Sequence, residues 1–178
     1  MLVLGDSLSA EYGLPRGSGW VALLEAKLAR ERIAAKVVNA SISGDTTSGG
    51  RSRLPALLAQ LKPDVVVIEL GGNDALRGLP LSMTQDNLTA MVRAAKASGA
   101  RVLLVGMQVP PNYGRKYGDD FYALFASVAR AEGVALVPFL LKGVADAPDA
   151  EAARVQVNEM CERLLANPVI EAYEVVIS

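Results

Sequence analysis

The stretch Val65–Leu70, with the sequence VVVIEL, is an almost uninterrupted apolar run that Pro63 and Asp64 separate from the residues before it. A strand this apolar is typical of a parallel sheet that is covered on both faces. On either side of it along the chain, short β-branched runs alternate with longer amphipathic runs. This alternation predicts a single α/β domain of three layers, with a parallel sheet and right-handed crossovers.

The predicted elements follow this alternation over most of the chain. The predicted strands are Met1–Leu4, Lys36–Ala40, Val65–Leu70, Arg101–Met107 and Val134–Pro138. The predicted helices are Gly19–Ile33, Ser48–Leu61, a helix that Thr84 caps and that runs to about Ser98, and Asp119–Glu132. We expect Gly71–Leu81 to be a loop and Gln108–Gly118 to be irregular, because glycine and proline interrupt both segments.

The composition excludes several classes of protein. The chain has 178 residues, a net charge of −1 and a single cysteine, Cys161. No basic stripe or tail is present, which argues against nucleic acid as a partner. With one cysteine and no histidine, a metal site is not expected. No apolar run approaches the roughly 20 residues of a membrane span. We expect a cytoplasmic protein, or a periplasmic or secreted one if an upstream signal peptide has been removed.

A Gly-Asp-Ser-Leu-Ser stretch follows the first predicted strand, at residues 5–9. In open α/β sheets, ligands bind at the carboxyl ends of the strands, where Ser7 is expected to lie. Taken alone, the same residues could be a turn followed by a helix cap, because Asp and Ser are common in both places. Ser7 is therefore a candidate nucleophile that needs support from elsewhere in the chain.

Two further segments supply that support. A Gly-containing segment after the second strand includes Gly44, whose backbone N–H can approach a ligand closely because glycine has no Cβ. Gly71 and Gly72 follow the third strand and let the chain turn so that Asn73 enters the cleft. The N–H groups of Ser7 and Gly44 and the side-chain amide of Asn73 together form a plausible oxyanion hole.

The strings LGDSLSAEYG, VVNASISGDTTSGG and VVVIELGGNDALRG carry these three segments. They resemble the first three sequence blocks of the SGNH (GDSL) hydrolase family, in its arylesterase, thioesterase I and lysophospholipase L1 branch. The string PPNYGRKY resembles the substrate-side loop of that branch, and the resemblance covers residues 1 to about 145. It implies a flavodoxin-like sheet in the order 2-1-3-4-5. It also implies hydrolysis of acyl esters or thioesters through an acyl-serine, without a cofactor.

The resemblance also indicates which residues contact the substrate. The loop from Pro110 to Tyr117 and the segment Gly78–Leu81 are expected to form the wall on the acyl side, since loops over the sheet edge usually set specificity. The residues expected to bind substrate are Asp6, Leu8, Gly72, Asp74, Leu76, Pro110 and Tyr113.

The family's fourth block, Asp-x-x-His, has no counterpart, because the chain contains no histidine. Asp146 and Asp149 have an Asp-x-x-Asp spacing but follow the fifth strand too closely to be that block, so neither receives a catalytic role. In a serine hydrolase the histidine accepts the proton of the nucleophile. The sequence therefore predicts an esterase cleft with impaired turnover. The alternative is a catalytically dead protein that binds acyl groups or associates with itself.

The last 33 residues, from Asp146, differ from the hydrolase segment at 1–145. The final 28 residues or so resemble the end of the small subunit of bacterial phosphoribosylformylglycinamidine synthase, which suggests a chimera. A predicted helix, Ala150–Leu165, could still cover the sheet. A predicted strand, Tyr173–Ile177, could add to a sheet edge or pair with a second copy to form a homodimer.

Overall fold

The computed structural model describes residues 1–144. Five strands form one parallel sheet: β1 (Leu2–Gly5), β2 (Val38–Asn39), β3 (Val65–Glu69), β4 (Arg101–Val105) and β5 (Ala135–Val137). Their order is β2-β1-β3-β4-β5, which confirms the order expected from the resemblance. The predicted helix and strand of the tail lie outside the described residues, and so does any pairing they make.

Helices connect each strand to the next along the chain, as parallel neighbours require. They are α1 (Trp20–Arg30), α2 (Thr47–Leu61), α3 (Gly72–Leu76), α4 (Leu81–Ala97) and α5 (Arg115–Glu132), and a short 3₁₀ turn covers Pro111–Tyr113. Helix α4 packs between α2 and α5. Within residues 1–144, no helix combines the length and the apolarity needed to cross a bilayer.

The core lies where the apolar strands meet the helices. Every residue of β3 is buried, as the run Val65–Leu70 predicted. Strand β1 is buried along its whole length too, and it lies beside β3 with Gly5 opposite Glu69. Burial of these central strands fixes the register of the carboxyl edge of the sheet, where the predicted functional segments begin.

Two expectations for residues 71–84 were wrong. The segment Gly71–Leu81 is not simply a loop, because Gly72–Leu76 forms the short helix α3. Gly71 adopts φ +121°, a conformation open to glycine, and this lets the chain enter α3 directly from β3. Thr84 does not cap α4. That helix starts three residues earlier, after Pro80, and Thr84 is buried within it.

Helix α5 begins at Arg115, four residues before the predicted start. The added turn carries Tyr117, whose ring stacks on Phe121 at a centroid distance of 6.5 Å and an interplanar angle of 6°. Residues four apart lie on one face of a helix, so this contact favours helix over the expected irregular segment. Phe121 then meets Phe125 edge to face at 5.3 Å.

Candidate active site

Three segments reach the same edge of the sheet because β1, β2 and β3 are parallel neighbours. The segment with Ser7 follows β1, the segment with Gly44 follows β2, and the segment with Asn73 follows β3. The carboxyl ends of parallel strands share one edge, so the order of the strands brings these three segments together.

The turn that carries Ser7 is held by Asp6. The Asp6 side chain is buried, and its Oδ1 accepts a hydrogen bond of 3.0 Å from the Leu8 N–H. An aspartate that binds the backbone two residues ahead forms an Asx turn. Ser7 is partly exposed at the top of this turn, and its carbonyl oxygen accepts the Tyr12 N–H at 3.2 Å. Asp6 and the Ser7 carbonyl oxygen thus fix the backbone of the turn, and Ser7 stays partly accessible to solvent.

The segment that carries Gly44 is held by two arginines. Gly44 adopts φ +78°, and its carbonyl oxygen accepts a 2.7 Å bond from Arg77 Nη2. Arg53 forms a 2.8 Å ion pair with the Asp45 carboxylate, and its guanidinium also donates to the carbonyl oxygens of Ala40 and, at 3.4 Å, of Gly5. One planar guanidinium therefore ties together the ends of β1 and β2 and the residue after Gly44.

Asn73 joins these two segments. Its Nδ2 donates to Asp6 Oδ2 at 3.0 Å and to the Asp45 carbonyl oxygen at 2.9 Å. Asp6 is the chain neighbour of Ser7, and Asp45 is the chain neighbour of Gly44. The Asn73 amide therefore contacts the residue before Ser7 and the residue after Gly44.

Both hydrogens of the Asn73 amide have acceptors in this structure, since an NH₂ group has two donors. An oxyanion that enters the cleft would compete with Asp6 or Asp45 for one of them. Burial raises the pKa of Asp6 above its ordinary value, and the charges of Asp45 and Asp74 raise it further. The hydrogen bonds from Leu8 and Asn73 act in the opposite direction and lower it.

Residues 3–167 match the sequence pattern of the GDSL-like lipase/acylhydrolase family. The chain belongs to this family. It is 57% identical over 144 residues to esterase TesA of Pseudomonas aeruginosa, a match that covers 81% of this chain and 72% of the relative. It is 44% identical over 144 residues to the thioesterase 1/protease 1/lysophospholipase L1 of Escherichia coli, covering 81% of this chain and 68% of the relative.

The fold is shared as well. A crystal structure of TesA superposes with a TM-score of 0.88 at 50% identity, covering 94% of this chain and 98% of that chain. The SGNH (GDSL) family expected from the three sequence segments is confirmed, as is its fold. Membership of this family places the chain among hydrolases that act on carboxylic esters.

Asp74, which follows Asn73 in α3, lies in the interior of the domain. Its side chain is fully buried, and its carboxylate accepts hydrogen bonds from the Thr47 N–H at 2.8 Å and the Thr47 hydroxyl at 2.5 Å. Thr84 adds a longer bond of 3.4 Å, and Asn87 Nδ2 donates to Thr47 Oγ1 at 3.1 Å. The Asp74 carboxylate thus links α3 to α2 and α4 and offers no surface to a substrate, contrary to the contact expected from the sequence.

The other residues expected to contact substrate lie around Asn73 and in the loop before α5. Leu76 is 58% exposed, three residues after Asn73 on α3. Gly72 lies beside Asp6, because a Cβ there would be 3.6 Å from Asp6 Oδ2. Leu8 is partly buried against the core and Pro110 is exposed. Tyr113 is partly exposed, and its ring stacks on Tyr117 at 6.5 Å, which connects the loop to α5.

A buried polar group that was not predicted from the sequence lies beneath the turn that carries Ser7. Glu69, at the end of β3, is fully buried and accepts a 2.6 Å hydrogen bond from the Ser9 hydroxyl. Trp20 Nε1 donates to the same hydroxyl at 3.2 Å. The single carboxylate within the run VVVIEL was the available signal, since an ionisable residue in a fully buried strand is uncommon.

The carboxylates around the cleft are engaged with protein donors. Asp6, Asp45 and Asp74 each accept hydrogen bonds from backbone or side-chain donors of the domain. Within residues 1–144, no three His, Cys, Asp or Glu side chains are grouped so that they could hold a metal ion.

Proposed function

We propose that this protein is an SGNH-type serine esterase that acts on acyl esters or thioesters, with Ser7 as its nucleophile and with impaired turnover. The observation that carries the proposal is the pair of hydrogen bonds from Asn73 to Asp6 and to Asp45, at 3.0 and 2.9 Å. Through these bonds, the Asn73 amide contacts both the segment that carries Ser7 and the segment that carries Gly44. A tetrahedral intermediate at Ser7 would form within reach of donors from all three segments.

In the proposed reaction, Ser7 Oγ attacks the acyl carbonyl carbon and the carbonyl oxygen becomes an oxyanion, while the Ser7 proton passes through solvent water to the departing alkoxide or thiolate. The N–H groups of Ser7 and Gly44 and the Asn73 amide would hold that oxyanion, and Asn73 would release Asp6 or Asp45 to do so. The bond to the alkoxide or thiolate leaving group then breaks and leaves an acyl-serine. Water attacks this ester, the carboxylic acid departs, and Ser7 recovers its proton.

The surroundings of the site support an acyl substrate. Ile42, two residues before Gly44, is 54% exposed, and Leu76, three residues after Asn73, is 58% exposed. Apolar side chains exposed beside polar donors suit a substrate with an apolar chain and one reactive carbonyl. We assign the apolar chain of the substrate to this rim and to the loop with Pro110 and Tyr113.

The impairment follows from composition. No residue of the chain is a histidine, and the usual base for a catalytic serine is a histidine. A serine hydrolase that lacks one member of its triad keeps a rate roughly 10³–10⁴-fold above the uncatalysed reaction, from the oxyanion hole and binding. Hydrolysis of the acyl-serine by water depends on the base more than acylation by an activated p-nitrophenyl ester does, because nitrophenolate leaves without a proton, so we expect the acyl-serine to persist.

The test compares this chain with Ser7→Ala on a short p-nitrophenyl ester, with and without added imidazole. We expect slow nitrophenol release, an acyl group on Ser7 detected by mass spectrometry, and a rate gain with imidazole that Ser7→Ala does not share. Ser7→Ala in the same imidazole corrects for direct attack by imidazole on the ester. Equal rates for the two proteins under every condition would remove the enzymatic function.

The absence of histidine also favours a second candidate, a catalytically dead protein that binds acyl groups in the same cleft. That protein would bind a fatty acid or a non-hydrolysable acyl ether without ever carrying an acyl group on Ser7. Binding that is unchanged in Ser7→Ala, together with an unmodified Ser7, would select this candidate over the esterase.

A further inference from the structure

Glu69 is a carboxyl group buried in the centre of the sheet. It ends β3, which lies between β1 and β4, and its side chain has no exposed surface. Its register partner on β1 is Gly5, the residue that begins the nucleophile turn. The Glu69 side chain therefore lies directly beneath the segment that carries Ser7.

The contacts of Glu69 are concentrated on one oxygen. Oε2 accepts the Ser9 hydroxyl at 2.6 Å and the Asp6 N–H at 3.4 Å. Oε1 is buried and has no hydrogen-bond partner among residues 1–144. A Cβ on Gly5 would lie 2.9 Å from Oε2 and 2.6 Å from Ser9 Oγ, so the turn and the carboxyl group are packed together without spare space.

The Ser9 hydroxyl accepts one hydrogen bond and donates another. The Trp20 indole N–H can only donate, and it donates to Ser9 Oγ at 3.2 Å. The Ser9 hydroxyl has one proton, and the 2.6 Å contact directs that proton to Glu69 Oε2. Trp20, Ser9 and Glu69 thus form a relay in which each group donates to the next.

We propose that Glu69 is a positioning residue for the nucleophile: as a neutral carboxyl it holds the Gly5–Ser9 turn through Ser9 and Asp6, and its ionisation at alkaline pH loosens that turn. The role in catalysis rests on the proposed function of Ser7.

The charges around Glu69 favour the neutral form. Burial, and after it the negative charge of Asp6, raise the pKa of Glu69 to about 8, although the hydrogen bonds from the Ser9 hydroxyl and the Asp6 N–H act to lower it. Asp6 is itself repelled by Asp45 and Asp74. Arg53, on α2, donates a hydrogen bond to the carbonyl oxygen of Gly5 at 3.4 Å. The Gly5 backbone separates this guanidinium from the Glu69 carboxyl group. Ionised Glu69 would be a second buried negative charge beside Asp6, with Oε1 lacking a donor among residues 1–144.

Ionisation of Glu69 would affect both the turn that carries Ser7 and the donor Asn73. Asp6 accepts the Leu8 N–H and the Asn73 amide, so a shift of Asp6 away from an ionised Glu69 would disturb the turn of Ser7 and the donor Asn73 together. Glu69 would act through these residues and would not touch the substrate.

The experiment uses Trp20, the only tryptophan of the chain, as a reporter. Its indole ¹H–¹⁵N resonance is followed from about pH 6 to about pH 10, a range that brackets the expected titration. We expect a sigmoidal shift with a midpoint near 8 in the wild type. Glu69→Gln should lack this step, because its amide keeps an oxygen acceptor for Ser9 but cannot ionise. Ser9→Ala, which breaks the relay at its middle member, should reduce the amplitude.

The second measurement is the rate at which a p-nitrophenyl ester acylates Ser7, taken as the ratio of wild type to Glu69→Gln. The ratio cancels the general rise in serine reactivity with pH. It should be constant at acidic pH and fall by about tenfold for each pH unit above the indole midpoint, as expected if only the neutral form is competent. Glu69→Ala, without an acceptor, should react slowly at every pH.

The outcomes separate the two proposals. An indole resonance that does not titrate, or that titrates equally in Glu69→Gln, overturns the role of Glu69 even if Ser7 is acylated normally. A constant acylation ratio across the range overturns the positioning role even if the indole titrates. If Ser7 is acylated in no variant while the indole still titrates with Glu69, the proposed function fails, and with it the link from Glu69 to the nucleophile.

Discussion

The Asn73 side chain donates to the Asp6 carboxylate at 3.0 Å, across 67 positions of the chain. Asp6 holds the turn of Ser7 with its other oxygen, which accepts the Leu8 N–H at 3.0 Å. One carboxylate thus sets the position of the candidate nucleophile relative to a candidate oxyanion donor. Pre-organised donors of this kind supply much of the rate enhancement of acyl-transfer enzymes.

Replacement of Asp6 by Asn should slow acylation of Ser7 by about 10- to 100-fold, the equivalent of one lost hydrogen bond to a charged group. The new side chain has one oxygen where Asp6 has two, so its NH₂ group must replace one acceptor. That NH₂ donor would then face another donor, either the Leu8 N–H or the Asn73 amide. Single-turnover acylation by a p-nitrophenyl ester measures the effect. Asp120→Asn, which breaks an exposed ion pair with Lys116 on α5, should acylate at the wild-type rate. An unchanged rate in Asp6→Asn would separate the Asp6 contact from reactivity.

Thr47→Val should lower the free energy of unfolding by about 1–3 kcal/mol, the cost of leaving buried polar groups without partners. The change preserves shape but removes the 2.5 Å bond to Asp74 and the acceptor of Asn87. Urea denaturation is the measurement. Thr84→Val is the matched control, because its bond to Asp74 is 3.4 Å long and its loss should cost less. Equal losses in the two variants would contradict the importance assigned to Thr47.

Gly5→Ala should destabilise the protein by about 1–3 kcal/mol, the usual effect of overpacking. The added methyl group would lie 2.6 Å from Ser9 Oγ and 2.9 Å from Glu69 Oε2, both of which are buried. Gly72→Ala is the control, since the nearest atom to its Cβ is 3.6 Å away. Thermal denaturation should place Gly5→Ala well below Gly72→Ala. Comparable melting temperatures would show that the turn can move away from Glu69.

The stability of the wild type should fall relative to that of Glu69→Gln as the pH rises. The pKa of Glu69 in the folded protein is about 8, above its ordinary value of 4.5. Between these values the folded state holds a proton that the unfolded state has lost, so the stabilisation is complete below 4.5 and is lost as the pH passes through 8. The difference should change by about 1.4 kcal/mol for each pH unit in this window.

Urea denaturation of both proteins at a series of pH values checks this. Glu132→Gln provides a contrast of opposite sign, because the hydrogen bond from Arg93 lowers the pKa of Glu132. A wild-type curve parallel to that of Glu69→Gln would mean that Glu69 is ionised throughout.

The sheet and the three segments at its edge could be predicted from sequence patterns. The run VVVIEL and its neighbours encode burial, and burial on both faces leaves a parallel α/β arrangement as the solution. Ser7, Gly44 and Asn73 could be selected because each follows a strand. Local patterns carry this information, since they depend on residues close together in the chain.

The contacts that hold these residues could not be predicted, because they form only in the folded protein. Helix α3 was missed because a five-residue helix has almost no periodicity to read and depends on the turn at Gly71. Thr84 was predicted to cap α4, but it lies inside that helix, where its hydroxyl donates to Asp74. The bonds of Asn73 to Asp6 and of Glu69 to Ser9 join positions 60 or more residues apart. No local pattern specifies such partners, because they become neighbours only when the strands pair.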